Sequence, residues 1–104
     1  MIMGVFVVKA VREDRGQAQL DGTIIKGVLK PGMEAVLDGH VVSLHAVYDQ
    51  EHNELEEATR GWSVSLDIDL QAQWSWVESL IGQQLTFTED KKQTNQLAWE
   101  VETI

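Results

Sequence analysis

Few side chains in this sequence have the types and spacing that chemistry needs. His40, His45 and His52, with Asp49 between the last two, come nearest to a set of metal ligands. A structural zinc site requires four ligands that converge on one point. His40 is predicted in a hairpin turn, His45 on a strand and His52 in a polar loop, so the three rings need not converge. We therefore expect surface histidines, no metal site and no cofactor.

Acidic side chains are the other candidates for chemistry. Asp67 and Asp69 are two residues apart on one face of a predicted strand, and paired carboxylates can act as acid and base when their surroundings differ. Both stand beside serines, which favours a solvated face. The four glutamates between positions 51 and 57 lack the alternating ligands of a calcium loop, and we interpret them as a solvated loop or a partner-facing patch. No nucleophile, base and orienting group occupy recognisable positions, so we predict no catalytic residue and no enzyme.

The net charge of −9 comes from 17 acidic and 8 basic side chains that are unevenly distributed. Residues 1–33 carry +2, whereas the residues after Met33 carry −11. Nucleic-acid affinity rests largely on neutralising phosphates, so this balance makes nucleic acid the less favourable partner. An RNA-binding surface would have to use the basic residues of the first third, which are Lys9, Arg12, Arg15, Lys26 and Lys30.

Length and composition predict one soluble globular domain. The chain has 104 residues, with 43% hydrophobic and 24% charged side chains, which is ordinary for that class. No apolar run approaches the length of a membrane span, and the N-terminal "MIMGVFVV" lacks a basic leader and a cleavage site, so it predicts a first strand and no membrane partner. The absence of cysteine fits a reducing compartment, and we expect a cytoplasmic protein.

Glycine stands at every fifth position in "GTIIKGVLKPGMEAVL", at Gly22, Gly27 and Gly32, with apolar strand-forming residues between. An interior glycine costs a helix about 1 kcal/mol, so this spacing favours strands broken by tight turns. Pro31 followed by Gly32 is typical of a type II turn. The block therefore predicts a series of short strands.

Further patterns predict the remaining elements. Asp38-Gly39 predicts a type I′ hairpin between strands at Glu34–Leu37 and His40–Tyr48. Apolar and polar residues alternate from Trp62 to Leu70, which predicts a half-buried strand with Trp62 in the core. The runs "GVFVVKAVR", "GQAQLDGTII" and "QLTFTE" add strands, the first two joined by an "EDRG" turn. In "WSWVESLIG", Trp74, Val77 and Ile81 have helical spacing and Gly82 can end the helix. These patterns predict an all-β fold, a small closed antiparallel barrel with one short helical turn.

The glycine block resembles the β-barrel that follows the GTP-binding domain in translational GTPases, the second domain of elongation factor Tu and its relatives. The segment "ELEEATRGWSVSLDI", in which Ala58 stands three residues before Gly61, resembles a loop and the long strand of that barrel. The segment "SLIGQQLTF" resembles its closing glycine and last strand. The resemblance covers roughly residues 4 to 88, so it implies a barrel domain over residues 1–88 and a C-terminal extension, an added strand, over residues 89–104.

The resemblance also implies a function. In that family the barrel docks on the GTP-binding domain, and in some members it also contacts tRNA or ribosomal RNA. The sequence contains no phosphate-binding loop of the form G-x-x-x-x-G-K-[ST], so we expect no GTP hydrolysis by that route. The resemblance therefore implies a binding module linked to translation.

Four tryptophans exceed what a small core requires. Trp74 and Trp76 cannot both face the same way on a short helix, so at least one should be exposed or cover the barrel mouth. In the extension, Leu97, Trp99 and Val101 fall on one face and Glu100 and Glu102 on the other, which predicts a strand that adds to a sheet edge of the same barrel or of a second copy. We predict a stand-alone module that binds another protein, or itself as a homodimer, through Trp74, Trp76 and Trp99. The alternative is an RNA-binding accessory domain.

Overall fold

A computed structural model describes residues 2–14, 16–69 and 73–89. These residues form eight strands and one short helix. In chain order the elements are β1 (Met3–Asp14), β2 (Gln17–Leu29), β3 (Glu34–Leu37), β4 (His40–Tyr48), β5 (Glu54–Leu55), β6 (Ala58–Thr59), β7 (Ser63–Asp69), α1 (Trp74–Glu78) and β8 (Gln84–Thr88). The predicted all-β class is confirmed. Arg15, Trp99 and the strand predicted in the extension lie outside the described residues.

Six strands close into an antiparallel barrel. Their order is β1-β8-β3-β4-β7-β2, and β2 pairs with β1 to complete the ring. The two-residue strands β5 and β6 pair with the ends of β4 and β2 and were not predicted from the sequence. The β1–β2 hairpin has the longest ladder, from Gly4 opposite Gly27 to Asp14 opposite Gln17. The predicted closed barrel with one short helix is therefore confirmed.

Alternating apolar residues from every strand of the ring fill the barrel. Phe6 of β1, Leu20 and Ile24 of β2, Leu66 of β7 and Phe87 of β8 are completely buried. Burying such a side chain stabilises the fold by about 1.5–3 kcal/mol relative to leaving it exposed. No buried polar or charged residue occurs in the described part of the chain. Functional polar groups must therefore lie on the outer faces or at the two ends of the barrel.

Two of the predicted turns explain why the chain needs glycine where it does. Asp38 and Gly39 both have positive φ, 54° and 79°, as a type I′ hairpin requires, and the flanking strands have the predicted bounds. Gly27 has φ 71°, and a Cβ there would collide with the carbonyl oxygen of Met3 in β1. Glycine at position 27 is therefore required both by its backbone conformation and by the close approach of β1.

Two expectations about apolar side chains were wrong. Trp62 was predicted in the core, but β7 begins at Ser63 and the Trp62 side chain is 46% exposed. Its carbonyl oxygen accepts a hydrogen bond from the Ile24 N–H at 3.0 Å, so its backbone is held in the turn that precedes the strand. Ile81 was placed on the apolar side of a helix, but α1 ends at Glu78 and Ile81 is exposed. Leu80 is buried in its place.

Candidate protein-binding site

The helix α1 closes one end of the barrel. Val77 and the following Leu80 are buried in the core. Trp76 packs against the same core and stacks on the His40 ring at the start of β4, with ring centroids 4.1 Å apart and planes inclined by 18°. The Ser79 hydroxyl donates a hydrogen bond of 2.5 Å to the Trp76 carbonyl oxygen at the end of the helix. Trp76 is half-buried, and its stack on His40 ties the β3–β4 hairpin to the helix.

Trp74 faces a different direction from Trp76, as the short helix requires, and its side chain is 37% exposed. It lines a cleft of about 200 Å³ between α1, the β1–β2 hairpin and the end of β7. We call this the Trp74 cleft. Its lining residues are Glu13, Gly16, Gln17, Ala18, Ile68, Asp69, Trp74 and Val77.

The floor and the rim of the Trp74 cleft differ in polarity. Ile68 and Val77 at its base are buried. The Gln17 side-chain amide donates a hydrogen bond of 2.7 Å to the Ile68 carbonyl oxygen, which fixes one wall. Glu13 and Asp69 are exposed carboxylates, and no lysine or arginine is among the described residues that line the cleft. The cleft therefore offers a partner one exposed aromatic ring and two negative charges.

This combination suits a cationic side chain with an apolar stem. An arginine or lysine can lay its methylene groups along the Trp74 ring and direct its charge toward the carboxylates of Glu13 and Asp69. A volume of about 200 Å³ is below the range of about 300–1,000 Å³ that small-molecule and cofactor sites occupy. The Trp74 cleft is therefore better matched to one side chain of a partner than to a cofactor.

Of the RNA-binding candidates in the described residues, the structure brings Lys9 and Arg12 together. Lys9 and Arg12 line a groove on the outer face of β1, β2 and β7. Lys26 lies opposite Val5, four residues before Lys9 on β1 and so about 13 Å along the strand. Lys30 follows the end of β2, and its Nζ is 3.5 Å from the Glu89 carboxylate. The four described candidates therefore form no single basic patch.

Arg12 is paired with an acidic residue in that groove. Its guanidinium donates hydrogen bonds of 2.9 and 3.0 Å to the Asp21 carboxylate, and the Ser65 hydroxyl donates a third of 2.6 Å. Partial burial raises the pKa of Asp21, but the hydrogen bonds from Arg12 and Ser65 outweigh it and hold the pKa below its ordinary value. Much of the positive charge of Arg12 is thereby compensated within the protein.

The histidines and the acidic loop form no metal site in the described residues. In residues 2–14, 16–69 and 73–89, no group of three or more histidine, aspartate or glutamate side chains could hold a metal ion. Asp49 Oδ1 accepts hydrogen bonds from the N–H groups of Glu51 (2.8 Å) and Asn53 (2.9 Å), and such bonds, the one from Asn53 foremost, lower the pKa of Asp49. His52 sits in this turn with φ 67°. His45 is exposed on β4.

The two aspartates of β7 point outward but have different neighbours. Asp67 accepts a hydrogen bond of 2.7 Å from the Gln19 side-chain amide. Its negative charge is the main reason that the pKa of Tyr48 is raised. Asp69 lies on the rim of the Trp74 cleft, and its Oδ2 is 3.9 Å from His45 Nδ1. The outer face predicted for this pair is confirmed, and only Asp69 belongs to the candidate site.

Sequence reasoning singled out Trp74 and Asp69 separately, but it did not connect them and it missed Glu13. Glu13 is at the end of β1 and Asp69 at the end of β7, more than fifty residues later in the chain. No local pattern connects the two, because they meet only when the barrel closes.

None of the helices in the described residues is long and apolar enough to cross a membrane.

Comparisons with known proteins bear on the fold. No family model and no curated protein sequence matches this chain. A search of solved structures finds a crystal structure of Sup35 complexed with GDP, with a TM-score of 0.64 and 21% identity. The match covers 86% of this chain and 21% of the Sup35 chain, so the present chain spans about a fifth of the length of that protein. At this identity the match concerns the fold alone, and at that level it confirms the predicted barrel of the translational GTPase second-domain type.

Proposed function

We propose that this chain is a non-enzymatic protein-binding module that holds a basic side chain of another protein in the Trp74 cleft. The observation that carries the proposal is the position of Trp74, whose exposed ring lines the same cleft as the carboxylates of Glu13 and Asp69. Tryptophan and arginine are among the residues most enriched at the energetic centres of protein interfaces. The translation-factor fold fits such a role, because a barrel of this type docks on another domain in translational GTPases.

The charge of the chain supports a basic partner. The residues after Met33 carry −11, and a negative field of this kind accelerates the approach of a positively charged protein. A cation placed against an aromatic ring contributes about 0.5–2 kcal/mol, depending on how far it is desolvated. One such contact is an anchor within a larger interface, since a stable interface buries about 800 Å² on each partner.

A model compound tests the cleft directly. Titration of the ¹⁵N-labelled protein with N-acetyl-arginine-amide should shift the Trp74 indole resonance and the amide resonances of Glu13 and Asp69. N-acetyl-citrulline-amide has nearly the same shape without the charge, and it should produce much smaller shifts. Trp74→Ala should abolish the response, whereas Trp62→Ala removes another exposed ring, one that does not line the cleft, and should leave the response intact. Equal shifts with both compounds, or no shifts near Trp74, would contradict the proposal.

The same two variants test the protein-binding role in a cell extract. A partner captured by the unmodified chain should be lost with Trp74→Ala and retained with Trp62→Ala. Capture should also weaken as salt is added, because the expected contact includes exposed charges. A partner that both variants retain equally would show that the Trp74 cleft is not its binding site.

RNA binding is the second candidate function, and one observation favours it. Lys9 and Arg12 share a groove with His52, although Asp21 compensates part of the charge. If RNA binds there, the logarithm of its affinity should fall linearly and steeply with the logarithm of salt concentration. Lys9→Gln should weaken that binding, and Trp74→Ala should leave it unchanged. If Lys9→Gln leaves RNA affinity unchanged and Trp74→Ala reduces it, the groove is excluded as the RNA-binding site.

A further inference from the structure

Two valines on the outer face of the β3–β4 hairpin are left uncovered by the described part of the chain. Val36 and Val41 lie directly opposite each other and are 68% and 47% exposed. Their neighbours Ala35 and Val42 are buried in the barrel, so the alternation of the strands forces both valines outward. We call Val36 and Val41 the outer valine pair.

The described chain ends next to this pair. Thr88, the last residue of β8, pairs with Glu34 of β3. The Glu89 N–H donates a hydrogen bond of 3.0 Å to the Ile2 carbonyl oxygen, and its carboxylate pairs with Lys30. Val36 is two residues beyond Glu34, which is about 7 Å along the strand. Because β8 runs antiparallel to β3, the chain at Glu89 heads away from Val36, so residues 90–104 must reverse direction to reach the outer valine pair.

The sequence of that continuation has the pattern of a strand with one apolar side. Leu97, Trp99 and Val101 occupy every second position, and Glu100 and Glu102 occupy positions of the opposite parity. Leu97 is eight positions after Glu89, and eight extended residue steps span at most about 26–29 Å. The polar stretch between them is therefore long enough to turn and bring the apolar residues back over β3 and β4.

We infer that residues 97–101 of the same chain dock on the outer valine pair, with the Trp99 ring over Val36 and Val41. In this arrangement the apolar side of the segment covers the outer valine pair, and its glutamates face water. A tethered segment has an effective concentration of about millimolar, so at micromolar protein it outcompetes the same segment of a second copy by about a thousandfold. This contact uses a different surface from the Trp74 cleft.

Valine methyl resonances of the full-length protein test the contact. An indole ring stacked over a methyl group moves its resonance upfield, so the Val36 and Val41 methyl groups should lose such a shift in Trp99→Ala and retain part of it in Trp99→Phe. The methyl groups of Val64, which is buried inside the barrel, should be unchanged and report that the fold is intact. If Trp99→Ala leaves the Val36 and Val41 resonances in place, the inference is wrong.

A reciprocal substitution and a dilution series complete the experiment. The double variant Val36→Thr, Val41→Thr keeps the shape of both side chains but adds hydroxyl groups, and it should move the Trp99 indole resonance to the position of an unstructured peptide. Dilution from about millimolar to about 10 µM protein should not change the spectrum, since a tethered contact does not depend on concentration. A spectrum that changes on dilution would assign the contact to a second copy and overturn docking within one chain. An unmoved Trp99 resonance in the double variant would also overturn it.

Discussion

Two glycines of the same block give a matched pair of substitutions that separates backbone strain from steric collision. Gly27 and Gly32 both have positive φ, 71° and 97°. A Cβ at position 27 would collide with the Met3 carbonyl oxygen, whereas a Cβ at position 32 has no heavy atom within 4 Å. Gly32→Ala therefore introduces only the strain of the left-handed conformation. Gly27→Ala adds a collision between β2 and β1 to the same strain.

The expected losses of stability differ accordingly. The left-handed conformation costs a residue with a Cβ about 1–2 kcal/mol, so Gly32→Ala should lower the free energy of unfolding by that amount. Forcing extra volume into a packed site adds about 1–3 kcal/mol, which gives about 2–5 kcal/mol for Gly27→Ala. Because Gly27 lies opposite Gly4 at one end of the β1–β2 ladder, part of the collision can be relieved by fraying. The loss should then fall in the lower half of that range.

Urea unfolding followed by tryptophan fluorescence measures both losses. The midpoint should fall for both variants and fall further for Gly27→Ala, at an unchanged slope, since the slope reports the surface exposed on unfolding. In a domain of about 100 residues each kcal/mol corresponds to about 4 °C or more in melting temperature. Equal losses would show that the collision with Met3 is absent. Wild-type stability in both variants would refute the assignment of these glycines to strained turns.

Three further predictions follow from single contacts. Hydrogen bonds from Arg12 and Ser65 outweigh burial and hold the pKa of Asp21 below its ordinary value, so this carboxylate stabilises the fold above about pH 4 and the contribution is lost as the pH falls through the folded-state pKa. Asp21→Asn should therefore lower the urea midpoint at pH 7. The midpoint of the variant should also fall less on acidification than the midpoint of the wild type. His40→Ala removes the stack on Trp76 and should cost about 0.5–1.5 kcal/mol in urea unfolding, with His40→Phe closer to the wild type. Isothermal calorimetry should detect no micromolar binding of GTP, because the sequence lacks a phosphate-binding loop.

The sequence alone determined most of the local structure. The turn at Asp38-Gly39, the bounds of β3 and β4, and the inward and outward faces of β7 were all predicted correctly. These features depend on neighbouring residues, because positive φ selects the turn and an alternation of period two selects the face. The spacing of glycines between apolar runs also carried the resemblance to a translation-factor barrel, and the structural match confirms that fold.

Only the tertiary structure decided which side chains are covered and which polar groups meet. Alternation placed Trp62 on the inward face, but β7 begins only at Ser63 and the Trp62 side chain, in the turn before it, is exposed. Glu13, Asp69 and Trp74 share a cleft although they belong to three separate segments of the chain. Periodicity fixes the direction of a side chain relative to its own strand. Its burial and its partners depend on which other strand ends arrive beside it when the barrel closes, and that information is not local.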